Sequence, residues 1–259
     1  MVQARLKYIA FDGRRDKVAD AFADGNAATD FGRGDIIRLH PEETGFEFIG
    51  AGPAKGGVVV LHAVYGLTAH MGAVCDRWAG AGYAAIAPAL FDRVGRDLVH
   101  PYSRDGVEAG RRCFGALAEA QILADIAACA AALRDSGPVA ISGFCTGGTW
   151  AWIASAKQDF DAQVNFYGSH VPSKLDLAPR CPTIMHYGDS DHAVPLPQVE
   201  RIRAAHPAVT IHVYPRAGHA FFNPEQETFD ANAAAAAWQR SVEFLDRLSA
   251  AKSRRPATA

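Results

Sequence analysis

The stretch from Pro138 to Gly148, P-V-A-I-S-G-F-C-T-G-G, constrains this chain more than any other. Val139, Ala140 and Ile141 form a short apolar run, Gly143, Gly147 and Gly148 flank a single Cys145, and Thr149 to Ala156 reads as helix. Strand, tight turn and helix in this order form the G-x-nucleophile-x-G elbow, with cysteine where serine is more usual. Such a turn strains the backbone of its central residue, so its neighbours must be small. The sulfur would stand at the N-terminus of the new helix, where N–H groups favour a thiolate over a thiol. The bland alternative is a strand-turn-helix whose buried cysteine does nothing, because short motifs recur by chance. What separates the two is whether an acid and a base follow in the right order.

The rest of the chain alternates strand and helix patterns. Val58–Leu61 is a continuous apolar run, as expected of a strand buried on both faces, and it leads into H-A-V-Y-G-L. A helix is expected over 69–80, stopped by G-A-G-Y, then a strand over 83–89 and a loop from Phe91 to Arg104. Ile122, Ile126, Cys129 and Leu133 recur at helical spacing, which predicts one long helix from about Val107 to Arg134. Strands follow over 162–167, 182–187 and 209–214, with helices over 196–205 and 231–249. The pattern implies an α/β fold, a mostly parallel central sheet flanked by helices on both faces. With 259 residues, 49% of them hydrophobic, the chain can form one large core, and a single domain over 1–259 is expected. Its first 44 residues are atypical: a strand over 5–11, a turn and short helix around Val18–Ala23, then edge strands within 35–50. Residues 250–259 read as a disordered tail.

Composition excludes several classes of partner. Net charge is −2 with no basic stripe, so nucleic acid is not expected. No stretch approaches membrane-span length and the N-terminus has no apolar h-region, so a cytoplasmic protein is expected. Five cysteines, Cys75, Cys113, Cys129, Cys145 and Cys181, contain no C-x-x-C pair, which argues against a disulfide framework and fits a reducing compartment. Asp189, Asp191 and His192 lie close together, but no second cluster completes a metal site, and no cofactor is expected. Monomer and homodimer both remain open.

In open parallel sheets, ligands bind beyond the carboxyl ends of the strands. Cys145, Asp191, His219, Val64 and Arg93 all fall just after such ends. His219 lies in A-G-H-A-F after the last strand, and Asp191 lies in G-D-S-D-H-A-V-P. Nucleophile, acid and histidine in this order match the α/β-hydrolase arrangement. Asp189 competes as the acid, but Asp191 is preferred because the turn needs a few residues to swing its carboxylate toward the histidine. A Cys145–His219–Asp191 triad is therefore expected, with the N–H groups of Val64 and Thr146 as the oxyanion hole.

The chain resembles the dienelactone hydrolase, or carboxymethylenebutenolidase, family over about residues 45–249. G-F-C-T-G-G resembles that family's cysteine elbow, G-D-S-D-H-A-V-P its acid loop and A-G-H-A-F its histidine loop. G-Y-A-A-I-A-P-A-L-F-D-R resembles the strand and loop that carry a substrate-binding arginine, here Arg93. The resemblance implies hydrolysis of a small lactone or ester through an acyl-enzyme. Two positions depart from the family pattern. Ala63 stands where the family carries a glutamate that helps switch on the thiolate, and Asn223 stands where it carries a second carboxylate-binding arginine. Arg93, Tyr65 and Asn223 are the candidate substrate contacts, and Arg96 and Arg104 read as surface charge. His62 or Tyr65 is left to tune Cys145 in place of the glutamate. Residues 12–34 have no counterpart in the family and are left to cover the pocket or to mediate dimerisation. Two other readings remain: a carboxylesterase for unrelated neutral esters, and a thiol-based sensor or ligand-binding module.

Overall fold

A computed structural model describes residues 54–253 (side chains through 250), together with the two-residue strands β1 (Val18–Ala19), β2 (Arg38–Leu39) and β3 (Phe46–Glu47). The three short strands form an antiparallel sheet of their own, in the order β1-β3-β2. The edge strands expected within 35–50 do pair, β2 with β3. Val18–Ala19 corrects the sequence reading, which placed a helix there: β-branched Val18 favours extended backbone, and β3 supplies it with a partner. The expected strand over 5–11, most of the 12–34 segment and the tail beyond 253 lie outside the described residues.

The main sheet has six strands, β4 (Gly57–Leu61), β5 (Ala84–Ile86), β6 (Val139–Phe144), β7 (Ala162–Phe166), β8 (Thr183–Gly188) and β9 (Thr210–Tyr214), in the order β5-β4-β6-β7-β8-β9. The registers of β4 with β5, β6 with β7, β7 with β8 and β8 with β9 are all parallel. Six α-helices flank it: α1 (Ala69–Gly80), α2 (Arg104–Gly115), α3 (Glu119–Ala132), α4 (Thr146–Lys157), α5 (Leu196–Ala205) and α6 (Ala231–Ser253). Every residue of β4, β6, β7 and β8 is buried, and β4 accordingly reads as a continuous apolar run, whereas β7 carries Gln163 and Asn165 into the interior. Among the described residues, no single helix is long and apolar enough to cross a membrane.

The chain divides into two compact units, Met1–Val60 with Tyr65–Val139, and Leu61–Val64 with Ala140–Ala259. In the first, the single helix expected over 107–134 is two helices, α2 and α3, that meet at 92°. Gly115 ends α2, and Gln121 Oε1 accepts the Ala118 N–H at 3.0 Å to start α3 afresh. The apolar periodicity belongs to α3 alone, whose Ile122, Ile126 and Cys129 are buried. The first turn of α2 is fixed by Ser103, whose Oγ accepts the Gly106 N–H at 3.1 Å.

The second unit holds the elbow. Its helix α4 buries Gly147, Gly148, Thr149, Ala151, Trp152, Ile153, Ala154 and Ser155, so it is enclosed on nearly every side. Beneath the ends of β6 and β7, the rings of Phe144 and Phe166 stack at 4.5 Å, and Phe222 lies 4.7 Å from Phe166. Tyr167 and Tyr214 both pack on Phe221, at 5.5 and 5.1 Å. Each buried ring contributes about 1.5–3 kcal/mol of transfer free energy. Together they tie the loops that follow β6, β7 and β9 into one layer.

Candidate active site

Cys145 follows β6 directly and has φ 53° and ψ −116°, a left-handed conformation that costs a non-glycine residue on the order of 1–3 kcal/mol. Three backbone hydrogen bonds hold it there: Cys145 N–H donates to Phe166 O at 3.0 Å, and Cys145 O accepts from Thr149 and Ser169 N–H, each at 3.2 Å. The flanking glycines are required by close approach. A Cβ on Gly143 would lie 2.2 Å from Gly147 O, and one on Gly147 would lie 2.3 Å from Leu61 O. The small residues of the motif are thus the condition for turning a buried strand into a buried helix within one residue.

His219 follows β9, and its Nδ1–H donates to Asp191 Oδ2 at 2.8 Å. Asp191 follows β8 and is 2% exposed. Its other oxygen, Oδ1, accepts the N–H groups of Ala193 at 2.8 Å and Val194 at 3.0 Å. Burial alone would raise the pKa of this carboxylate, but hydrogen bonding and charge from His219, with the two N–H groups, bring it below its usual value. Asp189 has a different task. Its Oδ1 accepts the Arg216 N–H at 2.6 Å and the Ser190 hydroxyl at 2.9 Å, so it ties the β8 exit to the β9 exit. Of the two acids that the sequence offered, the one that meets His219 is Asp191.

Burial also works against ionisation of both Cys145 and His219, and in each case the partner overrides it. The charge of His219, with hydrogen bonds from His219, Ser169 and Thr146, brings the Cys145 thiol below its usual value. The charge of Cys145 and the hydrogen bonds to Asp191 and Cys145 raise His219 to about 10. Each shift favours the charged form of its group, a thiolate on Cys145 and an imidazolium on His219. The Tyr167 ring stands edge-on to the His219 ring at 5.1 Å, and the Thr228 hydroxyl donates to the His219 carbonyl, which fixes the loop.

The other expected residues fall as follows. Thr146 is the first residue of α4, and its N–H is among those with no intrahelical acceptor. Val64 follows β4 and lies in the same unit as Cys145. Asn223 is buried; its Oδ1 accepts the Glu225 N–H at 2.9 Å, so the side chain shapes the turn after His219. His62 is fully buried, its Nδ1–H donates to Ala63 O at 2.7 Å, and burial lowers its pKa to about 4, which keeps it neutral. In the first unit, Tyr65 lies edge-on to Tyr102 at 4.6 Å. Arg104 is exposed and pairs with Glu108 at 3.5 Å.

Arg93 makes a bidentate ion pair, Nε and Nη2 donating to Asp125 Oδ2 and Oδ1, both at 2.7 Å. The pair is nearly enclosed, with side chains 18% and 6% exposed. Sequence reasoning missed Asp125, although a signal was present: it falls three residues after Ile122 and four before Cys129, on the apolar face of the helix. It also missed Ser169 and Asn165. The Asn165 amide donates to Gly148 O at 2.7 Å and its Oδ1 accepts the Gly168 N–H at 3.0 Å, which pins the loop after β7 against α4. An asparagine inside a predicted buried strand was the only clue.

The dienelactone hydrolase family model matches residues 45–249. A carboxymethylenebutenolidase of Pseudomonas putida is 29% identical over 205 residues, covering 75% of this chain and 87% of that protein. A candidate carboxymethylenebutenolidase of Escherichia coli K12 is 32% identical, covering 76% of this chain and 78% of its own length. The crystal structure of a candidate dienelactone hydrolase from Klebsiella pneumoniae superposes with a TM-score of 0.64 at 28% identity, covering 75% of this chain and 88% of that one.

Proposed function

Since this chain belongs to the dienelactone hydrolase family and is an ester or lactone hydrolase, we propose that it works by thiolate attack through a Cys145–His219–Asp191 triad. The observation that carries this reading is the relay itself. Two N–H groups fix Asp191, Asp191 holds His219 at 2.8 Å, and His219 draws the Cys145 thiol below its usual value in spite of burial.

In the first step the Cys145 thiolate adds to the substrate carbonyl carbon, and the carbonyl oxygen becomes an oxyanion held by the N–H groups of Thr146 and Val64. Each such donor lowers the barrier by about 3 kcal/mol. The tetrahedral species collapses, the C–O bond breaks, and the His219 imidazolium gives its proton to the departing alkoxide. This leaves a thioester on Cys145 and a neutral imidazole. The imidazole then takes a proton from water as the water adds to the thioester. Collapse releases the acid and returns the thiolate–imidazolium pair. Asp191 stays ionised and holds the imidazole tautomer throughout. With Ala63 in place of a glutamate, Cys145 pairs with His219 directly.

Within this class the substrate is an uncharged ester or lactone. Arg93, the family's carboxylate-binding arginine by position, is already paired with Asp125 through Nε and Nη2, and Asn223 replaces the second arginine. An anionic substrate would have to compete with a buried bidentate carboxylate. The five free cysteines support a reducing, cytoplasmic setting.

The test is turnover of a neutral chromogenic ester beside a matched ester bearing a carboxylate, by wild type and Cys145→Ala. We expect the neutral ester to be preferred at least about tenfold, and Cys145→Ala to lose at least ~10³-fold in kcat. Undiminished turnover by Cys145→Ala removes the thiol from the mechanism. A preference for the anionic ester removes the substrate assignment alone.

A further inference from the structure

The sulfur of Cys145 has a second polar neighbour that the triad does not use. Ser169, in the loop after β7, donates its N–H to the Cys145 carbonyl at 3.2 Å, and its side chain is among those that bring the Cys145 thiol below its usual value. The Ser169 hydroxyl lies 2.9 Å from His170 Nδ1. The loop is built to hold this position. Asn165 Oδ1 accepts the Gly168 N–H at 3.0 Å, Tyr187 donates its hydroxyl to Gly168 O at 3.2 Å, and Thr149 Oγ1 of α4 accepts the His170 N–H at 3.0 Å. The Ser173 hydroxyl donates to His170 O at 2.8 Å. A Cβ on Gly168 would lie 2.6 Å from Asn165 Oδ1, so the approach of this loop to the elbow depends on a glycine next to Ser169.

We propose that Ser169 and His170 form a second arm on the Cys145 thiolate: His170 Nδ1–H donates to Ser169 Oγ, and the Ser169 hydroxyl donates to the sulfur. A hydroxyl can donate one hydrogen bond and accept two. With Nδ1–H filling one acceptor position of Ser169, its single proton is directed at Cys145. Ser169 touches the reacting atom. His170 acts only through Ser169 and is a positioning residue. No proton changes hands. The arm stabilises the anion before attack and again when the thioester collapses, and so divides the work of holding the thiolate between His219 and a neutral donor. Thr146, whose Oγ1 lies 3.9 Å from the sulfur, completes the polar groups around it together with His219 and Ser169.

This inference rests on Cys145 being the nucleophile, so its test reads the thiolate separately from turnover. The rate of Cys145 alkylation by iodoacetamide, followed by peptide mass spectrometry as a function of pH, gives the midpoint of thiol ionisation. Ser169→Ala is expected to move that midpoint up by about one pH unit, a roughly tenfold loss of labelling below it. His170→Ala should move it in the same direction by less, and Ser169→Thr, which keeps the hydroxyl, should restore it. An unchanged midpoint in Ser169→Ala overturns the arm. So does a Ser169→Thr profile that matches Ser169→Ala, which would leave packing as the cause. Should Ser169→Ala fail to fold, the exposed His170→Ala decides: no shift there overturns the part given to His170. If instead Cys145→Ala retains ester turnover while these shifts appear, the arm stands and the assigned mechanism fails.

Discussion

This molecule contains two cysteine–histidine pairs, and they behave in opposite ways. In the second unit the charge and hydrogen bonding of His219 bring the Cys145 thiol below its usual value. In the first unit Cys113 Sγ lies 3.5 Å from His100 Nε2, yet its thiol is pushed up, burial outweighing the nearby Arg112 charge. Proximity of the two residue types is therefore not what lowers a thiol. Cys113 sits near the end of α2, and the His100 ring packs against Phe91 at 5.8 Å. Cys145 sits at the start of α4, where the N–H groups point at it, and its histidine is held charged by a buried carboxylate. The comparison teaches that a thiol is lowered where its histidine is itself held toward the charged form, as His219 is by Asp191.

The most severe way to break the contrast is Asp191→Asn. It leaves the shape but removes the charge that holds the imidazolium, and kcat for a neutral ester should fall at least ~10²-fold. Labelling of Cys145 at pH 7 should fall toward the rate of Cys113. Cys113→Ala, by contrast, should keep turnover within about twofold, since deleting a packed sulfur is a matter of stability. A loss in Cys113→Ala comparable to that in Asp191→Asn would mean that both pairs serve catalysis.

A gentler probe is Asp189→Ala. It removes the acceptor for the Arg216 N–H but not the partner of His219, so stability should fall by about 1 kcal/mol in urea denaturation while kcat stays within about threefold. A collapse of kcat at unchanged stability would reverse the assignment of the two acids.

The smallest effect is in the pH dependence of stability. The raised His219 value means that its contribution is complete below its usual 6.5 and is lost as pH climbs toward about 10. The lowered Cys145 value means that its contribution is complete above its usual 9.0 and is lost as pH falls through the depressed value. While both shifts act, the folded protein holds a proton more on His219 and a proton fewer on Cys145, so the two slopes oppose each other. The stability difference between wild type and Cys145→Ala should change little while both shifts act and should decline as pH climbs past 9 toward about 10, where His219 alone is still titrating. A steady slope below pH 9 would show that only one of the two groups is shifted on folding.

The sequence alone determined the α/β sheet and the positions of Cys145 and His219, and it offered two acids, Asp189 and Asp191, with the second preferred. The sheet and the positions rest on local physics. A strand buried on both faces must be a continuous apolar run, as Val58–Leu61 is. A chain that turns from strand to helix at one residue needs Gly143 and Gly147, because any side chain there would meet backbone. These signals lie within a few residues of each other and survive without knowledge of the fold. Only the tertiary structure decided that Asp191 and not Asp189 meets His219, because the direction of each carboxylate depends on which distant N–H groups it accepts. Ala193 and Val194 turn one toward the histidine, and Arg216 claims the other. Only the tertiary structure broke the helix expected over 107–134 at 92°, since apolar spacing cannot report a change of axis. It also brought Asp125 to Arg93 and Ser169 to Cys145, across intervals of 32 and 24 residues that no pattern in the chain connects. Charge and hydrogen bonding act through space, and so the chemistry of the elbow that the sequence announces is set by side chains that it does not.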